Sequence, residues 1–157
     1  MKNFMLFIIC VALSTMAVAQ KKTPGKNKST KNVTVKSITA PVEVNTAFQA
    51  KYSDISKPKW NKRAGGNYVA VFTGTDNIKQ EVEFDAAGTY LKSKSIFMKD
   101  QVPEIITTSL SKNYSDKEVL EVKKYDIAGV SPYYKVKIAD GTKGKFLLVS
   151  EAGDVSE

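Results

Sequence analysis

The sequence predicts an α+β protein, with helices packed on one face of a curved antiparallel sheet and two helix-plus-antiparallel-sheet repeats along the chain. Three observations carry this reading. Between Tyr68 and Lys94, apolar and polar residues alternate with period two between Gly/Asp/Asn turns, the pattern of half-buried antiparallel strands. Two proline-led segments, starting at Pro41 and Pro103, carry apolar residues at helical spacing. Short motifs of the first half also recur in the second at separations of 62 to 66 residues.

The elements follow in order. Lys2, the apolar run Phe4 to Ala12 and the small-x-small pattern Ala17-Val18-Ala19 form a signal peptide over 1–19. The mature chain then begins at Gln20. The run is too short for a membrane span, which needs roughly 20 residues. Cys10 follows Ile9, where a lipidation site wants a small residue, so it reads as one more apolar position of the leader. Residues 20–40 form a basic arm whose Lys-, Thr- and Ser-rich composition cannot offset ordering entropy, at least to about Lys31. Val33 and Val35 alternate with polar residues, leaving a short strand open near 33–36, where it could cover a sheet edge.

Pro41 suits the first position of a helix whose stripe is Val44, Ala47, Phe48 and Tyr52. Trp60 opens the first strand, and Gly65-Gly66-Asn67 turns the chain into Tyr68. Tyr68, Ala70 and Phe72 share one parity, with Val82 and Phe84 on the next strand. A turn at Asp85 to Gly88, with Gly88 left-handed, pairs Phe84 with Thr89, Val82 with Leu91, Glu83 with Tyr90 and Glu81 with Lys92. The second helix opens at Val102-Pro103 and buries Ile105, Ile106, Leu110 and Tyr114. Strands follow at Val119 to Lys124, Tyr133 to Ile138 and Lys145 to Val149, with Asp140-Gly141 turning between the last two. The repeats are 41–99 and 101–157. Tyr52-Ser53-Asp54 returns as Tyr114-Ser115-Asp116, and Tyr68-x-Ala70-x-Phe72 as Tyr134-x-Val136-x-Ile138. The second copy ends on Val155, a stub of its fourth strand.

Charge and composition exclude several functions. The formal charge of +8 comes from 24 basic and 16 acidic residues. Lys2 and the six lysines between Lys21 and Lys36 lie ahead of the first acid, Glu43, so 17 basic residues face all 16 acids in the rest of the chain. The basicity belongs to the arm, which argues against a nucleic-acid-binding domain. Behind the leader there is no cysteine and no histidine. That removes disulfides, the usual zinc sites and Cys–His or Ser–His nucleophiles. No metal or cofactor is expected.

The order Pro41-x-x-Val44-x-x-x-Phe48-x-x-x-Tyr52, Trp60, Tyr68-x-Ala70-x-Phe72 and Val82-x-Phe84-Asp85-x-x-Gly88 resembles the PepSY-like domains of the beta-lactamase-inhibitor-like group. The resemblance covers Pro41 to Glu157. It implies a secreted or periplasmic protein with two helices on an antiparallel sheet, and inhibition belongs only to some relatives.

Glu81 and Glu83 share a sheet face roughly 6.5–7 Å apart, a spacing open to acid–base chemistry. Lys92 and Lys94 on the next strand make ion pairs the stronger reading. The loops Asp85 to Gly88 and Ala139 to Gly141 each offer one carboxylate, too few for calcium. By parity Trp60 and Tyr134 face the core. The opposite face carries Val69, Val71, Glu81, Glu83, Tyr90, Lys92 and Lys94 in the first half, and Tyr133, Lys135, Lys137, Phe146 and Leu148 in the second. Tyr90, Tyr133, Lys135, Lys137, Phe146 and Leu148 are the candidate binding residues. The function expected is a non-catalytic exported module, inhibitor-like, that takes an envelope protein or peptide on this face. The alternative is a structural or surface-associated envelope protein held by its lysine-rich arm. Oligomeric state stays open.

Overall fold

A computed structural model describes residues 38–157. The leader, the cleavage point at Ala19, the arm as far as residue 37 and the 33–36 strand lie outside the described residues. Within them are two helices and eight strands, α1 (Val42–Lys51), β1 (Lys59–Lys62), β2 (Tyr68–Thr73), β3 (Lys79–Phe84), β4 (Tyr90–Phe97), α2 (Glu104–Leu110), β5 (Val119–Ile127), β6 (Val130–Ile138), β7 (Lys145–Ser150) and β8 (Val155–Ser156). The strands form one antiparallel sheet in sequence order, β1 to β8, so each hairpin adds to the edge left by the one before.

Pro41 and Pro103 stand at the N-caps rather than at the first helical position expected for them, so each helix starts one residue later. Their missing N–H costs nothing there. Val44 and Phe48 of α1 are fully buried against Trp60, Ala70, Phe72, Val82 and Phe84. Ile106 and Leu110 of α2 pack on Val122, Tyr134, Val136, Ile138, Leu147 and Val149. Through the register, Val82, Ser93, Phe97 and Val122 share one side, so both helices cover the same sheet face. The predicted core residues Trp60 and Tyr134 are buried. Tyr114 lies past the end of α2, with its N–H on the Leu110 carbonyl.

Each helix rests on the turn that closes its half. A Cβ on Gly88 (φ +85°) would come 2.8 Å from the Glu43 carbonyl oxygen of α1. One on Gly153 (φ +91°) would come 2.9 Å from Ser109 Oγ of α2. Backbone conformation and close approach both call for glycine at these two positions.

Two expectations change. The β3–β4 register is displaced by two partners. Asp85 Oδ1 accepts from the N–H groups of Ala87 and Thr89, and Asp85 N–H donates to the Thr89 carbonyl, so the turn closes on Asp85–Thr89 rather than Phe84–Thr89. A bulge then places Phe84 opposite Tyr90 and Glu83 opposite Lys92, with Leu91 as the extra residue. Two one-residue steps restore alternation, so Lys92 and Lys94 keep their expected face. Tyr90 moves to the helix side, and Leu91 loses its predicted partner Val82. The β5–β6 hairpin is also longer than expected, running through Ile127, Gly129 and Val130. Lys123-Lys124-Tyr125-Asp126 and Ser131-Pro132 lack apolar alternation, which hides these strand ends.

Candidate binding face

The sheet face opposite the helices is concave over β2 to β6, with a cavity of about 280 Å³ between Arg63, Val69, Glu83, Lys94, Tyr125 and Tyr133. Val69 and Glu83, expected on a solvated surface, are 4% and 6% exposed. Arg63, Asn67 and Lys92 close over Glu83, and the side chains lining the cavity surround Val69.

Cross-strand pairing builds the floor. Glu81 lies opposite Lys94 and Glu83 opposite Lys92, the opposite-charge arrangement that stabilises neighbouring strands. Lys94 Nζ is 2.7 Å from Glu81 Oε2. Around Glu83, Asn67 Nδ2 donates to Oε1 at 2.9 Å, while Arg63 Nε and Lys92 Nζ stand 3.2 and 3.3 Å from Oε2. Neither cation is aligned as a hydrogen-bond donor to Oε2, so charge holds that oxygen. Burial raises the Glu83 pKa, but the Asn67 hydrogen bond and the positive charges of Lys92 and Arg63 outweigh it and bring it below the usual 4.5. A carboxylate pinned ionised by three partners is poorly suited to general-acid work at neutral pH.

This network yields a pH prediction. The folded pKa lies below the unfolded one, so the stabilisation is full above pH 4.5 and is lost as pH falls through the folded value. The melting temperature of the wild type should therefore fall faster than that of Glu83→Gln on acidification below that pH. Parallel falls would show that Glu83 is not linked to folding.

The far end of the face is different. Tyr125 and Tyr133 lie opposite each other with rings stacked at 5.5 Å. Lys135 and Lys137 of β6 place their ammonium groups 4.4 and 5.7 Å from the centre of the Phe146 ring on β7. Phe146 and Leu148 remain 48% and 40% exposed.

Five of the six candidate residues thus share one face: Tyr133, Lys135, Lys137, Phe146 and Leu148. Tyr90 is the correction. Its ring packs on Phe84, and its hydroxyl donates toward Ser93 Oγ and the Asp126 carbonyl, each at 3.0 Å. The register displacement that put it on the helix side removes it from the site. Arg63, Asn67 and Tyr125 were not foreseen. Arg63 and Asn67 flank a glycine turn, where parity says nothing, and Tyr125 lies beyond the predicted end of its strand. Among the described residues, no group of three or more Asp, Glu, Cys or His could hold a metal ion. No described helix is long and apolar enough to cross a membrane.

Two helices on one face of a single eight-stranded antiparallel sheet define an α+β class of fold. Residues 66–154 match the family described as "Putative beta-lactamase-inhibitor-like, PepSY-like", and the chain belongs to this PepSY-like family. Solved structures agree on the fold. A BLIP-like protein from Bacteroides fragilis is 22% identical with a TM-score of 0.66, covering 78% of this chain and 86% of its own. A DUF2874 family protein from Bacteroides ovatus is 17% identical with a TM-score of 0.64, covering 76% and 86%. One of the "putative periplasmic proteins" from Bacteroides eggerthii is 18% identical with a TM-score of 0.61, covering 76% and 88%. No curated protein matches the sequence.

Proposed function

We propose that the chain is a non-catalytic, exported module that binds a protein or peptide of the cell envelope on the concave face of its sheet. The observation that carries this is the exposure of Phe146 and Leu148 beside Lys135, Lys137 and the Tyr125–Tyr133 stack. Exposed apolar and aromatic side chains grouped with charges on one face are the composition of a protein-binding patch. Membership in a beta-lactamase-inhibitor-like family is consistent with binding, though it assigns no target. The leader-like residues 1–19 and the fold shared with the Bacteroides eggerthii structure, described as one of the "putative periplasmic proteins", support export. The order helix-then-four-strands, twice over, supports reading the halves as two copies of one unit.

Co-purification of the tagged mature chain from its native envelope tests this reading. Tyr133→Ala and Phe146→Ala should each remove a saturable partner while leaving the circular dichroism spectrum and melting temperature near wild type. Capture that persists in both variants would place binding elsewhere.

A further inference from the structure

We infer that the β6–β7 end of this face takes an acidic peptide segment in extended conformation, with carboxylates two residues apart seated on Lys135 and Lys137. The inference rests on the binding reading above and names the chemistry of the partner.

Charge balance differs between the two ends. At β3–β4 every acid lies across from a base. At β5–β6 Lys123 lies directly across from Lys135, a like-charge pair that disfavours the sheet. Glu121, opposite Lys137, is occupied by Lys123 at 2.7 Å. Lys135 and Lys137 therefore have no ion-pair partner among the described residues. Both ammonium groups are held instead over the Phe146 ring. Cation–π contact favours this position but leaves the positive charge uncompensated.

The spacing fits an extended chain. Lys135 and Lys137 are alternate residues of one strand, so their attachment points repeat every 6.5–7 Å or so. Carboxylates on alternate residues of an extended peptide repeat at the same interval. The residues between the carboxylates project to the other side of the peptide, and with the peptide lying along the β6–β7 seam this second row leans toward Phe146 and Leu148 of β7, which reward apolar groups. An acidic peptide carrying leucine or a similar residue satisfies both features. Anionic lipid or polysaccharide would satisfy only the charge.

Fluorescence anisotropy on the full mature chain tests this. The probes are a fluorescein-labelled peptide of alternating glutamate and leucine and its glutamine counterpart. A lipid arm uses vesicles of phosphatidylglycerol and phosphatidylcholine. The glutamate peptide should bind saturably and more weakly with added salt, and the glutamine peptide at least about tenfold more weakly. Lys135→Gln with Lys137→Gln should weaken the glutamate peptide about tenfold. The charge-matched control, Lys59→Gln with Lys79→Gln at the other end of the face, should leave it unchanged. The basic arm is common to all these proteins, so it cancels in the comparison. Equal loss in the control, equal binding of the two peptides, or vesicle binding without peptide binding would overturn the proposal. If Phe146→Ala loses an envelope partner that Lys135→Gln with Lys137→Gln retains, the binding face stands and the acidic partner falls.

Discussion

Replacing Phe48 with alanine should destabilise the protein by about 4 kcal/mol. Phe48 is fully buried in α1, and its ring meets four others, with centroids at 5.2 Å (Tyr52), 5.4 Å (Phe72), 5.5 Å (Trp60) and 6.4 Å (Phe84). Three of these contacts are edge-on, the geometry aromatic pairs favour. Truncation removes the ring that all of them share, and the neighbours belong to separate elements, so they cannot collapse into the space together. Against a total stability of roughly 5–15 kcal/mol, this is a large fraction. Urea unfolding followed by Trp60 fluorescence measures it. A loss under about 1 kcal/mol would mean that α1 is not docked as described.

Leu147→Ala should cost about 3 kcal/mol, and this loss should add to the first without coupling. Leu147 is fully buried on β7, in the cluster beneath α2, which has no residue in common with the cluster beneath α1. Between them, on the helix side of β4 and β5, run Ser93, Ser95, Lys124 and Asp126. Three of these side chains have polar partners outside the row, Ser93 with Tyr90, Lys124 with Glu151 and Asp126 with Lys51. Tyr90 O–H reaches toward Ser93, and Lys124 is paired with Glu151 at 2.5 Å. Apolar packing does not cross this row, so energetic communication between the two clusters should be small. A double-mutant cycle with the milder pair Phe48→Leu and Leu147→Val keeps the protein folded while measuring it. Coupling above about 0.5 kcal/mol would show a single continuous core.

Much of this was legible in the residues. Period-two alternation placed Val82, Phe84, Tyr134, Val136 and Ile138 on the helix side, because a pleated strand has only two faces and one is buried. Proline before an apolar stripe located both helix starts to within one residue. The failures share a cause. Tyr90 was assigned to the wrong face because the turn closes on Asp85–Thr89 and so sets Tyr90 opposite Phe84, while the Leu91 bulge beyond it returns Lys92 and Lys94 to their expected side; hydrogen-bond geometry in a turn leaves little trace in hydrophobic pattern. Tyr125 was missed because β5 runs on past Lys124, paired with Lys94 of β4 and Tyr133 of β6, in a stretch whose helix side is polar and leaves no apolar alternation. Arg63 and Asn67 extend the parity of Asn61 and Val69 beyond the ends of β1 and β2, beside the Gly65-Gly66 turn, where no strand pattern marks them as neighbours of Glu83. The shared face of Tyr133, Lys135, Lys137, Phe146 and Leu148 was readable because these residues lie on regular strands.

The first described residue has a practical meaning. Ile38 donates its N–H to the Trp60 carbonyl, on β1. Phe146 lies on β7, six strand spacings away, on the order of 29 Å along the sheet. Anything attached ahead of Ile38 joins the domain at the margin remote from the exposed aromatic. Immobilising the protein by its amino end therefore presents the lysine–phenylalanine surface outward, whereas a carboxy-terminal tag would emerge from β8, the strand bordering Leu148, and crowd the surface under test.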